Sequence, residues 1–421
     1  MMLITFFLVL SIGIPISMSM GIATLVGLIT GGHNISVLPQ MLQQATANYT
    51  LICIPYFILA ANIMNGSGIT RRIFAFADAL VGWMTAGMAQ VNVFASMIFA
   101  GISGTANSDA AGLGLIEIEA MKEQGYDAAF STSVTLASSI LGPIIPPSVP
   151  FIVYATLASV SVVDLFLAGL IPGLFLAVCL MGTSYFLVKT GRVKAPPRRK
   201  FSTSYLWKTI KEGFWALLAP LVLLGCIMSG TVTASESGII AIVYSIIVAL
   251  GYREFSLKSF IHALHSTLMS SVTILFIIGM GYGIGWVLTI ERVPQDLTIM
   301  MLSLTQNKYI ILFLINIFLL ILGCFMDGTT IRLITVPLFL PVLKALDISI
   351  LQFGVVHTFT TCIGFCTPPV GVGLMIMCSI SKLKFSEVVK AFIPYYIPLI
   401  VVLLAMTYIP PLTTWLPSLI A

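Results

Sequence analysis

The chain has 421 residues, of which 58% are hydrophobic and only 8% are charged. Soluble domains carry about 25% charged residues, so water is not the main solvent of this protein. The formal net charge of +5 does not indicate nucleic-acid binding, which needs a basic patch outside the membrane with interleaved aromatic residues. Apolar runs of roughly 18 or more residues recur from end to end, which predicts an all-α polytopic membrane protein in contact with lipid.

The first apolar stretch, residues 3–29, is too long for a signal peptide and has neither a charged start nor a small-residue cleavage site. We therefore expect it to remain in the mature protein. Seven cysteines also lie within apolar segments, and their spacing shows no metal-ligand pattern. Buried apolar cysteine is the simpler interpretation, and no cofactor is expected.

The polar run over residues 103–109 separates two apolar arms, residues 86–102 and 110–121, which we take to be about one half-membrane long. Such arms predict a re-entrant hairpin over about residues 86–122, which enters and leaves on the same side of the membrane. Its polar tip would lie near the middle of the bilayer. Because an exposed tip would be prohibitive there, we expect it to be buried in protein or to line a cavity.

Residues 130–159 are not expected to form one continuous membrane helix, because Gly142 and a following Pro-Pro pair interrupt the run. Adjacent prolines remove two amide donors and clash with the preceding turn. The freed carbonyl groups are costly in hydrocarbon unless protein, water or an ion satisfies them. Together with the hydroxyls of Ser138 and Ser139 they suit a small hard cation such as sodium. A plain packing kink is the alternative.

A basic linker follows over residues 189–212 and holds eight of the twenty Lys and Arg residues. Positively charged loops favour the cytoplasm. This segment is therefore predicted to be a cytoplasmic linker between a first half, residues 1–188, and a second half, residues 213–421. The loop of residues 31–48 has no Lys or Arg and is predicted to face outward.

The second half contains a polar run and a proline break like those of the first half. The run Asp327-Gly328-Thr329-Thr330 predicts a second hairpin over about residues 308–345. A Gly-Phe-Cys-Thr-Pro-Pro run beginning at Gly364 predicts a second broken helix over residues 351–381. Thr360 and Thr361 lie just upstream of that break, as the two serines do in the first half.

Three charged residues fall at the predicted hairpin tips: Asp109, Asp327 and Arg332. Intramembrane charges are expensive and are functional candidates by default. A guanidinium group also matches a carboxylate at two points, so Arg332 is a candidate for holding an anionic ligand. The structural alternative is a buried salt bridge between Arg332 and one of the two aspartates.

An offset of 222 residues places Gly101 on Gly323 and Gly142 on Gly364, and it superimposes the two Pro-Pro pairs. Gly and Pro are the residues that set backbone geometry. Equivalent loops differ in charge, since residues 381–387 include two lysines at positions 382 and 384 whereas their counterpart has no basic residue. This asymmetry predicts an inverted-topology repeat, and chance alignment of proline breaks is the alternative.

These segments resemble the large membrane subunit of tripartite ATP-independent periplasmic (TRAP) transporters over nearly the whole chain. The most specific are residues 99–109, 142–148, 325–327 followed by Pro337 and Pro341, and 367–371. The resemblance implies a sodium-driven importer of the elevator type, with ion-transporter-superfamily architecture, in a bacterial inner membrane. Its implied partners are a small four-helix membrane subunit and a periplasmic substrate-binding protein. The implied substrate is a small organic acid anion, such as a C4-dicarboxylate or sialic acid.

The resemblance also implies a pair of mirror-image sodium sites. The first would be formed by Ser103, Asn107, Ser139 and the break at Gly142, and the second by Thr329, Thr330, Gly364 and Thr367. The substrate-binding candidates are Ser108, Asp109, Asp327 and Arg332.

Two other functions are weighed against this one. An intramembrane hydrolase has little support, because the sequence contains neither His-Glu-x-x-His nor Gly-x-Gly-Asp. A self-sufficient sodium–anion symporter of similar architecture would use the same hairpins and breaks, and only the family motifs favour the tripartite system. The sequence also lacks a nucleotide-binding P-loop, so ATP is not expected to drive transport. We therefore expect a transporter rather than an enzyme.

Overall fold

The computed structural model describes residues 1–196, 200–228 and 231–420. Within these ranges every regular element is a helix, which confirms the all-α prediction. Two arginines of the predicted basic linker, Arg198 and Arg199, lie outside the described residues.

The first half contains eleven α-helices in the described residues, together with one 3₁₀ turn (Tyr49–Ile52) and one π-helical turn (Asp109–Leu113). The α-helices are α1 (Met2–Ser11), α2 (Ile16–Thr30), α3 (Val37–Thr46), α4 (Cys53–Gly66), α5 (Ile69–Val81), α6 (Gly87–Ser103), α7 (Ala106–Ser108), α8 (Gly114–Glu123), α9 (Ala128–Ser139), α10 (Val149–Ala158) and α11 (Val162–Lys189).

The second half contributes ten more α-helices in the part of the chain that the structure describes. They are α12 (Thr203–Met228), α13 (Ala234–Gly251), α14 (Leu257–Ile290), α15 (Val293–Leu304), α16 (Lys308–Gly323), α17 (Gly328–Ala345), α18 (Ile350–Phe365), α19 (Val372–Ser381), α20 (Phe385–Tyr408) and α21 (Pro411–Ile420).

Seven helical segments among the described residues are long and apolar enough to cross a membrane: Tyr49–Gly66, α11, α12, α13, α14, α17 and α20. Large apolar side chains on most of them are more than half exposed, including Val178, Leu221, Ile247, Leu268 and Ile397. Such exposure to water would be unfavourable, whereas the acyl chains of a bilayer cover it. The protein is therefore a multi-pass membrane protein.

The helices on either side of the polar tips are longer than half a membrane. Helices α6 and α16 have 17 and 16 residues, or about 24–26 Å at 1.5 Å per residue, against about 30 Å for the hydrocarbon core. Helix α17 is itself long enough to be a candidate span. The half-membrane length expected for hairpin arms is therefore an underestimate.

The 222-residue offset also relates the helices around the two breaks. Adding it to α9 gives residues 350–361, where α18 begins at Ile350, and adding it to α10 gives 371–380, where α19 lies. Both preceding caps are side-chain oxygens at matching positions. Asp127 accepts hydrogen bonds from the Ala129 and Phe130 N–H groups, and Ser349 accepts one from Gln352. Such caps stabilise the start of a helix.

The two halves are interleaved in the core. Helix α10 of the first half packs against α17 and α18 of the second half. Conversely, α19 packs against α9 and the π-helical turn of the first half. Each broken helix therefore packs against elements of the other half, and residues 140–149 of the first break are all buried.

Candidate functional site

The predicted tip of the first hairpin lies at Gly104 and Thr105, between α6 and α7. Gly104 has a φ of 68°, a conformation that favours glycine. A Cβ at this position would also collide with the carbonyl oxygen of Pro147. Thr105 then caps α7, because its hydroxyl accepts a hydrogen bond from the Ser108 N–H at 3.2 Å. The sequence thus folds the tip directly against the break that follows α9.

Three hydrogen bonds hold the break of residues 140–148 against this tip, close it on itself and start α10. The Val149 N–H donates to the Gly104 carbonyl at 3.1 Å. The Ser148 hydroxyl donates to the Pro143 carbonyl at 2.5 Å and accepts from the Phe151 N–H at 3.2 Å. The side chain of Ser148 therefore satisfies one of the carbonyls that the broken helix leaves free.

Asp109 lies at the junction of the hairpin tip and the break. It is 2% exposed, and its Oδ1 atom accepts a hydrogen bond from the Ser103 hydroxyl. Its Oδ2 atom has no hydrogen-bond partner among the described residues. A Cβ added to Gly142 would collide with that same Oδ2 atom and would lie 3.1 Å from the Thr105 carbonyl oxygen. The structure thus brings Ser103, Asp109 and Gly142 together.

The other first-half candidates lie near this junction but are not joined to it in the same way. The Asn107 side chain is exposed, and Ser108 is half-buried. Ser139 is buried, and its hydroxyl donates to the Leu136 carbonyl at 2.8 Å. The Ser139 oxygen keeps lone pairs for a ligand.

Asp327 at the second tip serves as the N-cap of α17. Its Oδ1 atom accepts from the Thr329 N–H at 2.8 Å and from the Thr330 N–H at 3.4 Å. Its Oδ2 atom accepts from the Thr330 hydroxyl at 2.5 Å. Both carboxylate oxygens of Asp327 are therefore occupied by the first turn of its own helix. Thr330 is fully buried, whereas Thr329 is half-buried.

At the second tip, Gly323 lies directly against Gly364 of the second break. A Cβ on Gly323 would lie 2.8 Å from the Gly364 Cα atom, so the two backbones touch. The Gly371 N–H donates to the Cys324 carbonyl at 3.1 Å, which parallels the bond from Val149 in the first half, since 149 plus 222 is 371. The Thr367 hydroxyl donates to the Ile363 carbonyl at 2.7 Å.

Arg332 is only 1% exposed and is the largest fully buried side chain in the described ranges. Its Nε atom has no hydrogen-bond partner there. No ion pair joins Arg332 to Asp109 or Asp327 in the part of the chain that the structure describes. The predicted alternative, a structural salt bridge, is therefore not formed. A buried cation without a carboxylate partner is costly.

Sequence reasoning missed two buried ionisable residues of this region. Glu117 on α8 is 1% exposed and its Oε1 atom lies 3.1 Å from the Ser96 hydroxyl. His357 on α18 is fully buried, with its Nε2 atom 2.7 Å from the Thr335 hydroxyl and no partner for Nδ1 among the described residues. The signal for Glu117 was an acid within a predicted membrane arm. The helix of His357 contains no other acidic or basic residue, so the sequence around His357 did not indicate a site.

Comparison with protein families and with characterised proteins gives a consistent result. A family model described as tripartite ATP-independent periplasmic transporter, DctM component, matches residues 3–412. The sialic acid TRAP transporter large permease protein SiaM of Vibrio cholerae is 36% identical over 410 residues, which are 97% of this chain and 95% of that protein. The C4-dicarboxylate TRAP transporter large permease protein DctM of Vibrio cholerae is 33% identical over 433 residues, which cover 97% of this chain and 95% of that protein. The 2,3-diketo-L-gulonate TRAP transporter large permease protein YiaN of Escherichia coli is 30% identical over 380 residues, which cover 90% of this chain and 89% of that protein.

Two solved structures share the fold at low sequence identity. The Alcanivorax borkumensis YdaH transporter superimposes with a TM-score of 0.55 at 13% identity, covering 88% of this chain and 86% of that one. Neisseria gonorrhoeae MtrF, from a class of antimetabolite efflux pumps, superimposes with a TM-score of 0.58 at 12% identity, covering 90% and 85%. At these identities the likeness is one of fold alone.

Proposed function

The chain belongs to the DctM component family of tripartite ATP-independent periplasmic transporters, and from that premise we propose that it is the sodium-driven subunit that imports a small organic acid anion. Its relatives are transporter permease subunits, not enzymes. The observation that carries the sodium part of the proposal is the free carboxylate oxygen of Asp109, buried where the first hairpin tip meets the first break.

The surroundings of Asp109 favour a small monovalent cation. A buried carboxylate oxygen without a partner is costly, and a bound cation removes that cost. The Ser103 hydroxyl and the Thr105 carbonyl lie beside it, and oxygen atoms of this kind are ligands for hard cations. The freed carbonyls near Gly142, with Ser139 and Asn107 at the margin, would complete the shell. One negative charge is matched by one sodium ion.

A second sodium site is proposed at the corresponding junction of the second half. Its ligands would be the hydroxyls of Thr329, Thr330 and Thr367 and the carbonyls around Gly364. Because Asp327 is occupied by the start of α17, this site would be built from neutral oxygens. The two sites would therefore differ in charge although they lie at equivalent positions.

The proposed carboxylate anchor of the substrate is Arg332. Its guanidinium group is buried and lacks a carboxylate partner, and a bidentate bond to an anion would supply one. The relatives named for sialic acid, C4-dicarboxylates and 2,3-diketo-L-gulonate all take organic acids. Ser108 is proposed to contact the rest of the ligand, whose identity this site does not specify. Asp109 and Asp327 were also substrate-binding candidates in the sequence, but we assign Asp109 to the cation and Asp327 to the start of α17.

The remaining parts of the proposal concern topology and assembly. The halves of residues 1–188 and 213–421 would be inverted repeats, and the hairpins and broken helices would form an elevator-type transport domain in a bacterial inner membrane. The common offset of their helices and the interleaving of α10 and α19 support one moving unit. The partners would be a small four-helix membrane subunit and a periplasmic binding protein that delivers the anion.

Reconstitution tests this function directly. Proteoliposomes with both membrane subunits should import the anion only with loaded binding protein outside and an inward sodium gradient. Full uptake driven by a proton gradient without sodium would contradict sodium coupling. Rapid uptake of free anion, unchanged by the binding protein, would instead identify a self-sufficient symporter.

A further inference from the structure

A buried chain of polar side chains joins the two arms of the first hairpin to α9. Asn92 and Ser96 lie on α6, Glu117 lies on α8, and Thr135 and Ser138 lie on α9. Each of the five is at most 2% exposed. Because every hydroxyl has a single hydrogen to donate, the directions of the bonds in this chain can be worked out in order.

The order begins at Thr135, whose hydroxyl donates to the Ser131 carbonyl at 3.0 Å. Thr135 Oγ1 therefore accepts from the Asn92 side-chain N–H at 2.7 Å. This places Asn92 Oδ1 toward Ser138, whose hydroxyl donates to it at 2.7 Å. Because the Ser138 hydrogen is used in this way, a bond between Ser96 and Ser138, whose oxygens are 3.1 Å apart, forms only if the Ser96 hydroxyl donates its single hydrogen to Ser138.

Glu117 Oε1 lies 3.1 Å from the same Ser96 hydroxyl oxygen. The Ser96 hydroxyl can donate to Glu117 or to Ser138 but not to both. Both contacts are hydrogen bonds only if Ser96 donates to Ser138 and the carboxyl group of Glu117 donates to Ser96. A protonated Glu117 completes a one-way chain from Glu117 through Ser96 and Ser138 to Asn92. An ionised Glu117 would take the Ser96 hydrogen and leave Ser96 and Ser138 in contact without a hydrogen between them.

The charges around Glu117 lead to the same conclusion. The helices packed against α8 are α6, α9 and α19, and none of them contains an acidic residue, a basic residue or a histidine. The π-helical turn contributes Asp109, a group of the same sign within electrostatic reach of Glu117. No described residue forms an ion pair with Glu117. An isolated buried carboxylate is among the most costly groups in a protein.

We propose that Glu117 holds a bound proton and that, through Ser96 and Ser138, it positions the end of α9 for the cation site at Asp109. Ser138 immediately precedes Ser139 and lies four residues before Gly142, so the chain fixes the last turn of α9 where the break begins. Glu117 is a positioning residue and not a cation ligand. The positioning role rests on the proposed sodium site, whereas the bound proton does not.

Infrared difference spectroscopy and thermal unfolding test the proton. Glu117→Gln keeps a donor to Ser96 without a charge, and Glu119→Gln removes an exposed carboxylate from the same helix. Wild type at neutral pH should show the carbonyl-stretch band of a protonated carboxyl group, and Glu117→Gln should lose it while Glu119→Gln keeps it. The Tm of Glu117→Gln should equal or exceed that of wild type. An ionised-carboxylate band lost in Glu117→Gln, with a lower Tm, would overturn the assignment.

Sodium titration of transport tests the positioning role. Ser96→Ala cuts the chain but leaves Glu117 in place, and it should raise the half-saturating sodium concentration about fivefold, the effect of one lost buried hydrogen bond. Glu117→Gln should change that concentration less than twofold, because the amide still donates. An unchanged sodium requirement in Ser96→Ala would overturn the positioning role. Loss of sodium dependence in Glu117→Gln would show that the charge itself binds the cation. If no variant or wild type responded to sodium, the proposed function would fail while the infrared result still stood.

Discussion

The two hairpin tips start their returning helices at equivalent positions but use their carboxylates differently. Thr105 caps α7 and Asp327 caps α17, and the two caps are 222 residues apart. At the second tip both oxygens of Asp327 bind the first turn of α17. At the first tip the cap is a neutral hydroxyl, and the carboxylate comes four residues later at Asp109, where one oxygen has no partner among the described residues.

This difference separates a structural carboxylate from one that is available to a ligand. A carboxylate that caps its own helix stabilises local structure, and substituting it by another capping residue costs little. A buried carboxylate oxygen that faces a helix break has no such local role. We infer that the first junction is an anionic cation site and the second a neutral one, although the backbone is alike at both.

Asparagine substitutions at the two aspartates should give the clearest test of this difference between the tips. Asp109→Asn removes the charge that the cation needs and should lower sodium-driven uptake by about 100-fold or more, since removing one member of a buried charge pair costs about 3–5 kcal/mol. Asp327→Asn is the matched control, because Asn is an equally good N-cap, and it should transport within a few-fold of wild type. Uptake by reconstituted protein at limiting sodium measures both. Equal losses in the two variants would remove the distinction between the tips.

Arg332 should affect transport without affecting stability. Because no described carboxylate forms an ion pair with it, Arg332→Met removes a buried unpaired charge while still filling most of the space, and it should leave the Tm at or above the wild-type value. Arg332→Lys should raise the substrate concentration for half-maximal uptake by about 10-fold or more, since a point charge replaces a bidentate fork worth a few kcal/mol. The rate of uptake, measured at increasing concentrations of loaded binding protein, gives this half-maximal concentration. A large fall in Tm for Arg332→Met would instead make Arg332 structural.

The glycine contact at the second junction should be sensitive to a single methyl group. In Gly323→Ala the new Cβ would lie 2.8 Å from the Gly364 Cα atom, and backbone atoms have no rotamer that avoids it. We expect a loss of about 1–3 kcal/mol, as for other overpacked sites. Gly285→Ala is the control, because its Cβ would meet only the Pro337 Cγ atom at 3.8 Å. Thermal unfolding in one lipid or detergent compares them, and equal Tm values would contradict the close packing.

The smallest effect is expected outside the membrane, where an acid has a visible partner. Glu254 accepts a hydrogen bond from Arg72 Nη2 at 2.9 Å. That bond, with the nearby arginine charges, holds the pKa of Glu254 below its usual value. A lowered pKa in the folded protein means that this stabilisation is present at neutral pH and is lost as pH falls through the folded pKa.

Glu254→Gln should therefore be slightly less stable than wild type at neutral pH, by no more than about 1 kcal/mol for such a partly exposed pair. The difference between the two Tm values should disappear toward acidic pH. Lys208→Gln, which removes the weaker contact of 3.9 Å to Glu212, is the control and should change little. A constant difference across the pH range would show that the charge of Glu254 is not involved.

Local sequence signals predicted where the helices stop, because those signals act on the backbone nearby. A Pro-Pro pair ends a helix whatever surrounds it, and the observed limits of α9, α10, α18 and α19 lie at the two breaks. The composition likewise predicted an all-helical membrane protein, which the structure confirms. The re-entrant path of the hairpins and their inverted orientation stay predictions.

The use of each polar side chain could not be predicted, because it depends on segments far apart in the chain. Whether Asp109 is free depends on Gly142, which lies 33 residues later and contacts it only in the fold. In the sequence, Asp327 and Asp109 were equivalent candidates for a functional carboxylate. In the structure, both oxygens of Asp327 accept hydrogen bonds from Thr329 and Thr330. Glu117 lay in an apolar arm, and only the packing of α6 and α9 gave it partners.

Equilibrium binding of radioactive sodium to the purified protein tests the central claim most directly, since it requires neither substrate nor partner subunits. Wild type and Asp327→Asn should show the same saturable binding. Asp109→Asn should lose the component that belongs to the first junction, and its Tm should no longer rise with sodium to the wild-type extent. Binding by Asp109→Asn with unchanged capacity and affinity would contradict the assignment of the first hairpin tip as the anionic cation site.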